Sequence, residues 1–187
     1  YGGLRAAFPG AEVTDTTTPN DTIFGGLGND EIFAGIGSDT IDGGAGQDRI
    51  FAGDGDDEIA GGTGADFIDA GADNDRIFAG DGDDEIDGGA GNDFLRGEDG
   101  SDIVRGGDGD DILANASTVG TDTLIGGAGN DVLGPDNSLG LGNTMTGGTG
   151  DDFFGTVRGD RVITDFGDDS GGSGDGDTSN NDYLDLW

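Results

Sequence analysis

Aliphatic side chains recur along this chain every nine residues, at Ile32, Ile41, Ile50, Ile59, Ile68, Ile77, Ile86, Leu95, Val104 and Leu113. Such self-similarity points to a repeat architecture before any single element is assigned. Framed from Gly25, ten consecutive blocks run without a gap to Ala114, from GGLGNDEIF, AGIGSDTID and GGAGQDRIF to GGDGDDILA. The aliphatic residue is always the eighth of its block, and its neighbours at positions seven and nine vary freely. Each block therefore predicts a three-residue strand over positions seven to nine, whose middle side chain points inward while its neighbours point outward. Up to three glycines among the first four positions predict a tight turn between strands. Stacking such units places isoleucine over isoleucine in an all-β solenoid.

Polar positions are equally regular. The sixth residue of all ten blocks is aspartate: Asp30, Asp39, Asp48, Asp57, Asp66, Asp75, Asp84, Asp93, Asp102 and Asp111. One frame upstream, TTTPNDTIF keeps Asp21 and Ile23 but has no glycine, as an atypical first turn would.

Composition then narrows the chemistry. The 187 residues include 44 glycines and 41 acidic against 7 basic residues, a net charge of -34 with only 31% hydrophobic residues. A chain of this kind stays expanded unless its carboxylates are neutralised. Nucleic acid is excluded as a partner because it is a polyanion and no basic patch exists to meet it. Acidic membrane surfaces are excluded for the same reason, and no apolar run is long enough to insert as a helix. The chain has no cysteine and no histidine, which rules out disulfides, thiolate or imidazole metal sites and a Ser-His-Asp triad. Oxygen ligands and a hard divalent cation remain.

Calcium fits these loops better than magnesium. It accepts six to eight oxygens in flexible geometry, whereas magnesium demands octahedral order and keeps its waters. Glycines such as Gly35, Gly37, Gly44, Gly46, Gly53, Gly55, Gly62 and Gly64 free the backbone to turn its carbonyls toward an ion. The candidate metal ligands are these glycines together with the aspartates at position six.

The blocks GGAGQDRIF and GGAGNDFLR resemble the RTX (hemolysin-type) calcium-binding nonapeptide G-G-x-G-x-D-x-U-x. The resemblance covers roughly residues 16–166 and implies a right-handed parallel β-roll with two nonapeptides per coil and calcium between successive loops. It therefore implies one row of Asp30, Asp48, Asp66, Asp84 and Asp102 and another of Asp21, Asp39, Asp57, Asp75, Asp93 and Asp111. Each ion would take a carboxylate from two neighbours in a row and carbonyls from both loops. Two blocks depart from the motif: Asp73 replaces glycine at position four, and Glu98 replaces it at position two.

After Ala114 the register is interrupted at Asn115 and Ala116 and resumes with Asp122 and Asp131 in the sixth position. A second interruption, Pro135 to Gly142, precedes Asn143 and Met145 in the aspartate and aliphatic slots, so that row is expected to bind calcium weakly or not at all. GGTGDDFFG restores a full block with Asp152. The segments Val162 to Phe166 and Asp182 to Leu186 resemble the end of the roll in serralysin-like proteins, with Phe166, Tyr183, Leu184, Leu186 and Trp187 expected to form a cap. Three regions follow: a flank or upstream remnant at 1–15, the roll at 16–166, and an acidic Gly/Ser-rich loop with the cap at 167–187. A start at Tyr1 without signal-peptide features is expected of a fragment or processed product.

The function this resemblance implies is a calcium-binding module of a type I secreted bacterial protein, located outside the cell or at its surface and folding on extracellular calcium. It carries no catalytic residues of its own, although an upstream domain of the same polypeptide is compatible with it. The alternative is a structural or adhesive module that uses the outer face of the roll, where Phe33, Phe51, Phe67, Phe78 and Phe94 stand at positions seven and nine.

Overall fold

The computed structural model describes residues 4–6, 12–14, 19–114, 119–134, 142–155, 162–165 and 183–184, with side chains over 19–114, 119–134 and 142–155. Every described strand belongs to one of two parallel sheets, one of ten strands and one of nine, and no helix occurs among the described residues. Consecutive strands alternate between the sheets, so each strand pairs with the one a full coil, two blocks, away. Thr22–Leu27, Thr40–Ala45 and Glu58–Thr63 are neighbours in the ten-stranded sheet. Glu31–Ile36, Arg49–Asp54 and Phe67–Ala72 are neighbours in the nine-stranded sheet. This is the parallel β-roll, with two blocks per coil, that the resemblance implied.

Position eight builds the core. Ile23, Ile41, Ile59, Ile77, Leu95, Leu113, Leu133 and Phe154 stack in register in one sheet. Ile32, Ile50, Ile68, Ile86, Val104, Leu124 and Met145 stack in the other. All are essentially inaccessible to solvent. With the two rows facing each other, each coil seals the apolar surface of the next.

The strands are longer than the three residues expected. Most run for six, from position seven through position three of the following block, as in Arg49–Asp54. Two residues per strand consequently face the interior: the aliphatic residue at position eight and the residue two places later, at position one. Ala34, Ala52, Ala70 and Ala79 occupy that second inward site and are fully buried. Position one is thus a strand position on the core face, and its glycines do not adopt the left-handed conformation found at positions two and four.

Both sheets take strands from the flanking segments. Leu4–Ala6 pairs with Thr22–Leu27 and Glu12–Thr14 with Glu31–Ile36. At the other end Val162–Asp165 pairs with Thr144–Thr149, and Tyr183–Leu184 with Phe153–Phe154. The other expected cap residues, Phe166, Leu186 and Trp187, and the acidic loop 167–181 lie outside the described residues.

The interruptions fall at one edge of the roll. Residues 115–118 separate Ile112–Ala114 of the ten-stranded sheet from Thr123–Ala128 of the nine-stranded one, and residues 135–141 likewise separate Val132–Leu133 from Thr144–Thr149. From Asp39 to Asp152 the opposite edge keeps its short turn, as through Gly129 and Asn130 to Asp131 and through Gly150 and Asp151 to Asp152.

Candidate metal centre

Each coil turns two corners. At the first, where the chain passes from the nine-stranded to the ten-stranded sheet, stand Asp39, Asp57, Asp75, Asp93, Asp111, Asp131 and Asp152. At the second stand Asp30, Asp48, Asp66, Asp84, Asp102, Asp122 and Asn143. All are 4% exposed or less, which is rare for residues of this polarity.

Their side chains form a ladder parallel to the roll axis. The backbone N–H of each aspartate donates to Oδ1 of the aspartate one coil later, at 2.6–2.8 Å, from Asp21 to Asp39 and onward to Asp152 at the first corner. The second corner repeats this from Asp30 through Asp48, Asp66, Asp84, Asp102 and Asp122 to Asn143, at 2.8–3.0 Å. The two expected rows are therefore present, and Asp122, Asp131 and Asp152 extend them. Asp160 lies outside the described residues. Asp75 and Asp102 keep their places because the substitutions beside them are accommodated: Asp73 and Glu98 adopt positive φ, 79° and 69°, in place of glycine.

The second carboxylate oxygen has no such partner. Oδ2 of Asp48, Asp57, Asp66, Asp75, Asp84, Asp93, Asp102, Asp111 and Asp131 is buried and accepts no hydrogen bond. Leaving a buried acceptor unmet costs about 1–3 kcal/mol, and more when it is charged. Burial, the largest influence, raises these groups, and like charges in the same row raise several of them further against the lowering effect of the backbone N–H. Asp75 is pushed up to about 8, Asp57, Asp66, Asp102 and Asp111 to about 7, and Asp84 and Asp131 to about 6. Asp48 and Asp93 are raised for the same leading reason.

Other oxygens surround these atoms. A Cβ added to Gly43 would lie 2.6 Å from the carbonyl oxygen of Gly61 and 2.8 Å from Asp48 Oδ2. At Gly61 the neighbours are the carbonyl of Ala79 at 2.5 Å and Asp66 Oδ2 at 2.8 Å. Gly43 and Gly61, at position one of their blocks, thus lie against both a carboxylate and a carbonyl, in room that a Cβ would take up. Among the described residues no group of three or more carboxylates converges, so an ion in these turns depends on carbonyl oxygens for much of its shell. Hard oxygen donors with orphaned negative charge fit calcium and leave nothing for a soft metal. Gly35, Gly37, Gly44, Gly46, Gly53, Gly55, Gly62 and Gly64 all have positive φ, between 103° and 145°, and shape these turns.

Position five supplies a second ladder that its variable residues conceal in the sequence. Asn74 N–H donates to Asp56 Oδ1, Asn92 N–H to Asn74 Oδ1, Asp110 N–H to Asn92 Oδ1 and Asn130 N–H to Asp110 Oδ1, at 2.7–2.9 Å. The direction is opposite to that at position six, because here the side chain meets the N–H of the following coil. Reading that column for short hydrogen-bonding side chains was the available signal. Outside the turns, the aromatic residues cluster with arginine: Arg49 lies 5.5 and 5.1 Å from the ring centres of Phe51 and Phe67, and Arg76 lies 4.8 and 5.0 Å from those of Phe78 and Phe94. Glu31 and Glu85 pair with Arg49 and Arg105 at exposed positions, where ion pairs contribute little.

No curated protein and no solved structure matches the chain. A family model does, in four copies at residues 17–50, 51–86, 78–113 and 118–133, together more than half the sequence. With buried aspartate rows repeating every second block and oxygen-lined turns between them, the chain belongs to the RTX calcium-binding nonapeptide repeat family.

Proposed function

We propose that this chain is a calcium-dependent folding module of a secreted protein, unfolded where calcium is scarce and assembled into its roll outside the cell. The observation that carries the reading is the line of buried, unpartnered Oδ2 atoms at each corner. Calcium supplies positive charge to neutralise neighbouring carboxylates and coordination to replace the hydrogen bonds that water made to them. The aspartates hold the ion, the glycines at positions two and four set the turn, and the aliphatic ladder makes each closed turn favour the next. One large aliphatic residue in nine, with only alanine or glycine at the second inward site, is too little apolar burial to offset the ordering of nine backbone residues, so folding and ion binding form one coupled event. The module is non-catalytic, and any activity belongs to other regions of its polypeptide. A second reading, a surface module that binds through its outer face, is favoured only by the arginine and phenylalanine clusters.

The test is a calcium titration followed by far-ultraviolet circular dichroism, repeated with magnesium. Calcium is expected to convert a coil spectrum cooperatively into a β spectrum, while magnesium at equal concentration leaves it as coil. A β spectrum already complete in chelator would sink the coupled-folding reading, and equal folding by magnesium would reduce the ion's role to charge neutralisation.

Position within the roll matters as well. Asp66 sits inside the uninterrupted array, with Asp48 and Asp84 above and below it. Asp66→Ala is expected to raise the calcium midpoint about tenfold, as the loss of about 1.4 kcal/mol would, and to flatten the transition by separating two cooperative stretches. An unchanged midpoint and slope would show that the aspartate is a turn residue alone.

A further inference from the structure

One position in the two rows is chemically inverted. At the second corner Oδ2 of Asp48, Asp66, Asp84 and Asp102 is a buried acceptor with no hydrogen bond, and at Asn143 the corresponding atom is Nδ2, a buried donor with no hydrogen bond. Asn143 is 1% exposed. Its amide cannot be turned round, because the Asp122 N–H donates to Asn143 Oδ1 at 2.9 Å and an NH2 group has no lone pair to accept that hydrogen. Oδ1 is thus engaged, and the remaining amide hydrogens, which carry partial positive charge, point where the other members of the row present negative charge. A calcium shell is built from oxygen lone pairs, so this turn loses both a ligand and the charge that would attract the ion. The donor set here does not fit the metal.

The first corner shows no such change. Asp111 N–H donates to Asp131 Oδ1 and Asp131 N–H to Asp152 Oδ1, each at 2.8 Å, and Asp131 Oδ2 remains a buried orphan acceptor. The additional residues 115–118 and 135–141 enter at the second corner only. From these observations together we infer that the roll carries two calcium lines of unequal length. The line at the first corner continues through Asp131 and Asp152. The line at the second corner stops at Asp122, with Asn143 as its terminator, so ions hold the last coils along one edge alone. This rests on the reading that the aspartate rows bind calcium.

The experiment counts bound calcium on the full chain by equilibrium dialysis and native mass spectrometry, with circular dichroism as the check on folding. Asn143→Asp restores a carboxylate to the row and is expected to bind one ion more than wild type, with a lower calcium midpoint. Asn143→Ala is expected to leave the count unchanged. Asp152→Asn, the mirror change at the first corner, is expected to bind one ion fewer. A folded Asn143→Asp chain with the wild-type count would overturn the inference, as would an Asn143→Ala chain that loses an ion. Asp152→Asn at the wild-type count would show that the first line does not reach the last coils and would overturn it too. A wild-type chain that binds no calcium at all refutes the function proposed above and this inference with it, whereas calcium binding with an unaltered Asn143→Asp count refutes the inference alone.

Discussion

In chelator the chain is expected to gain β structure as the pH falls toward 4 and to lose it as the pH rises through about 6 to 8. Asp57, Asp66, Asp102 and Asp111 stand near 7 in the roll and Asp75 near 8, against an ordinary value of 3.8. Between those values the roll binds more protons than the coil, so the stability of the metal-free roll is fully present below 3.8 and is lost as pH rises through the raised values. One unit corresponds to about 1.4 kcal/mol, so a carboxyl moved from 3.8 to about 7 disfavours the ionised roll by about 4 kcal/mol. Calcium reverses the sign, because it binds only the ionised carboxylate and is displaced by acid. Circular dichroism from pH 3 to 9, with chelator and with excess calcium, should give β signals that slope in opposite directions. Two curves falling together at acid pH would mean that the aspartate rows are not desolvated in the metal-free roll.

The second large effect is expected at Gly64. Its φ is 125°, and a Cβ added there would run into the carbonyl oxygen of Gly46 in the preceding coil. Gly64→Ala therefore meets two penalties, a backbone conformation nearly confined to glycine and a contact against main chain that cannot swing aside. Asp73 occupies the same block position with a side chain, but only by holding φ at 79°. Relaxing Gly64 toward that angle would shift the turn that leads into Asp66. The expected loss is about 2–4 kcal/mol, seen as a rise of more than tenfold in the calcium midpoint or as a split transition in which the two flanking stretches fold separately. Thr63→Ala, one residue earlier and exposed, is expected to change little. If the two variants titrate alike, close approach between coils does not govern position four.

The contrast between these neighbours shows what could be read from the residues. The nine-residue period exposed the aspartate rows and the aliphatic ladder because both use side chains whose chemistry changes sharply at a fixed place. The second inward site was hidden because six of the ten uninterrupted blocks fill it with glycine, which has no side chain to announce a face; only Ala34, Ala52, Ala70 and Ala79 mark it. Strand length was underestimated for the same reason, since glycine-rich positions one to three read as turn although they pair across the sheets, as Gly44 does with Gly62. The inverted atom at Asn143 was partly legible: the missing charge was plain, but the orphaned donor depends on a hydrogen bond from Asp122 that spans 21 residues. That the interruptions share one edge follows from strand order alone, which no local pattern encodes.

Alternation between the two sheets also fixes the length by which such a chain could be shortened or extended through duplication. Loss of one block of nine would send every downstream strand to the opposite sheet and carry Asn143 and the longer connections from one edge to the other. Loss of two blocks would shorten the roll by a coil and leave every later residue facing the same neighbours. The unit of inheritance compatible with two unlike edges is therefore the pair of blocks, even though the unit of sequence is the single block.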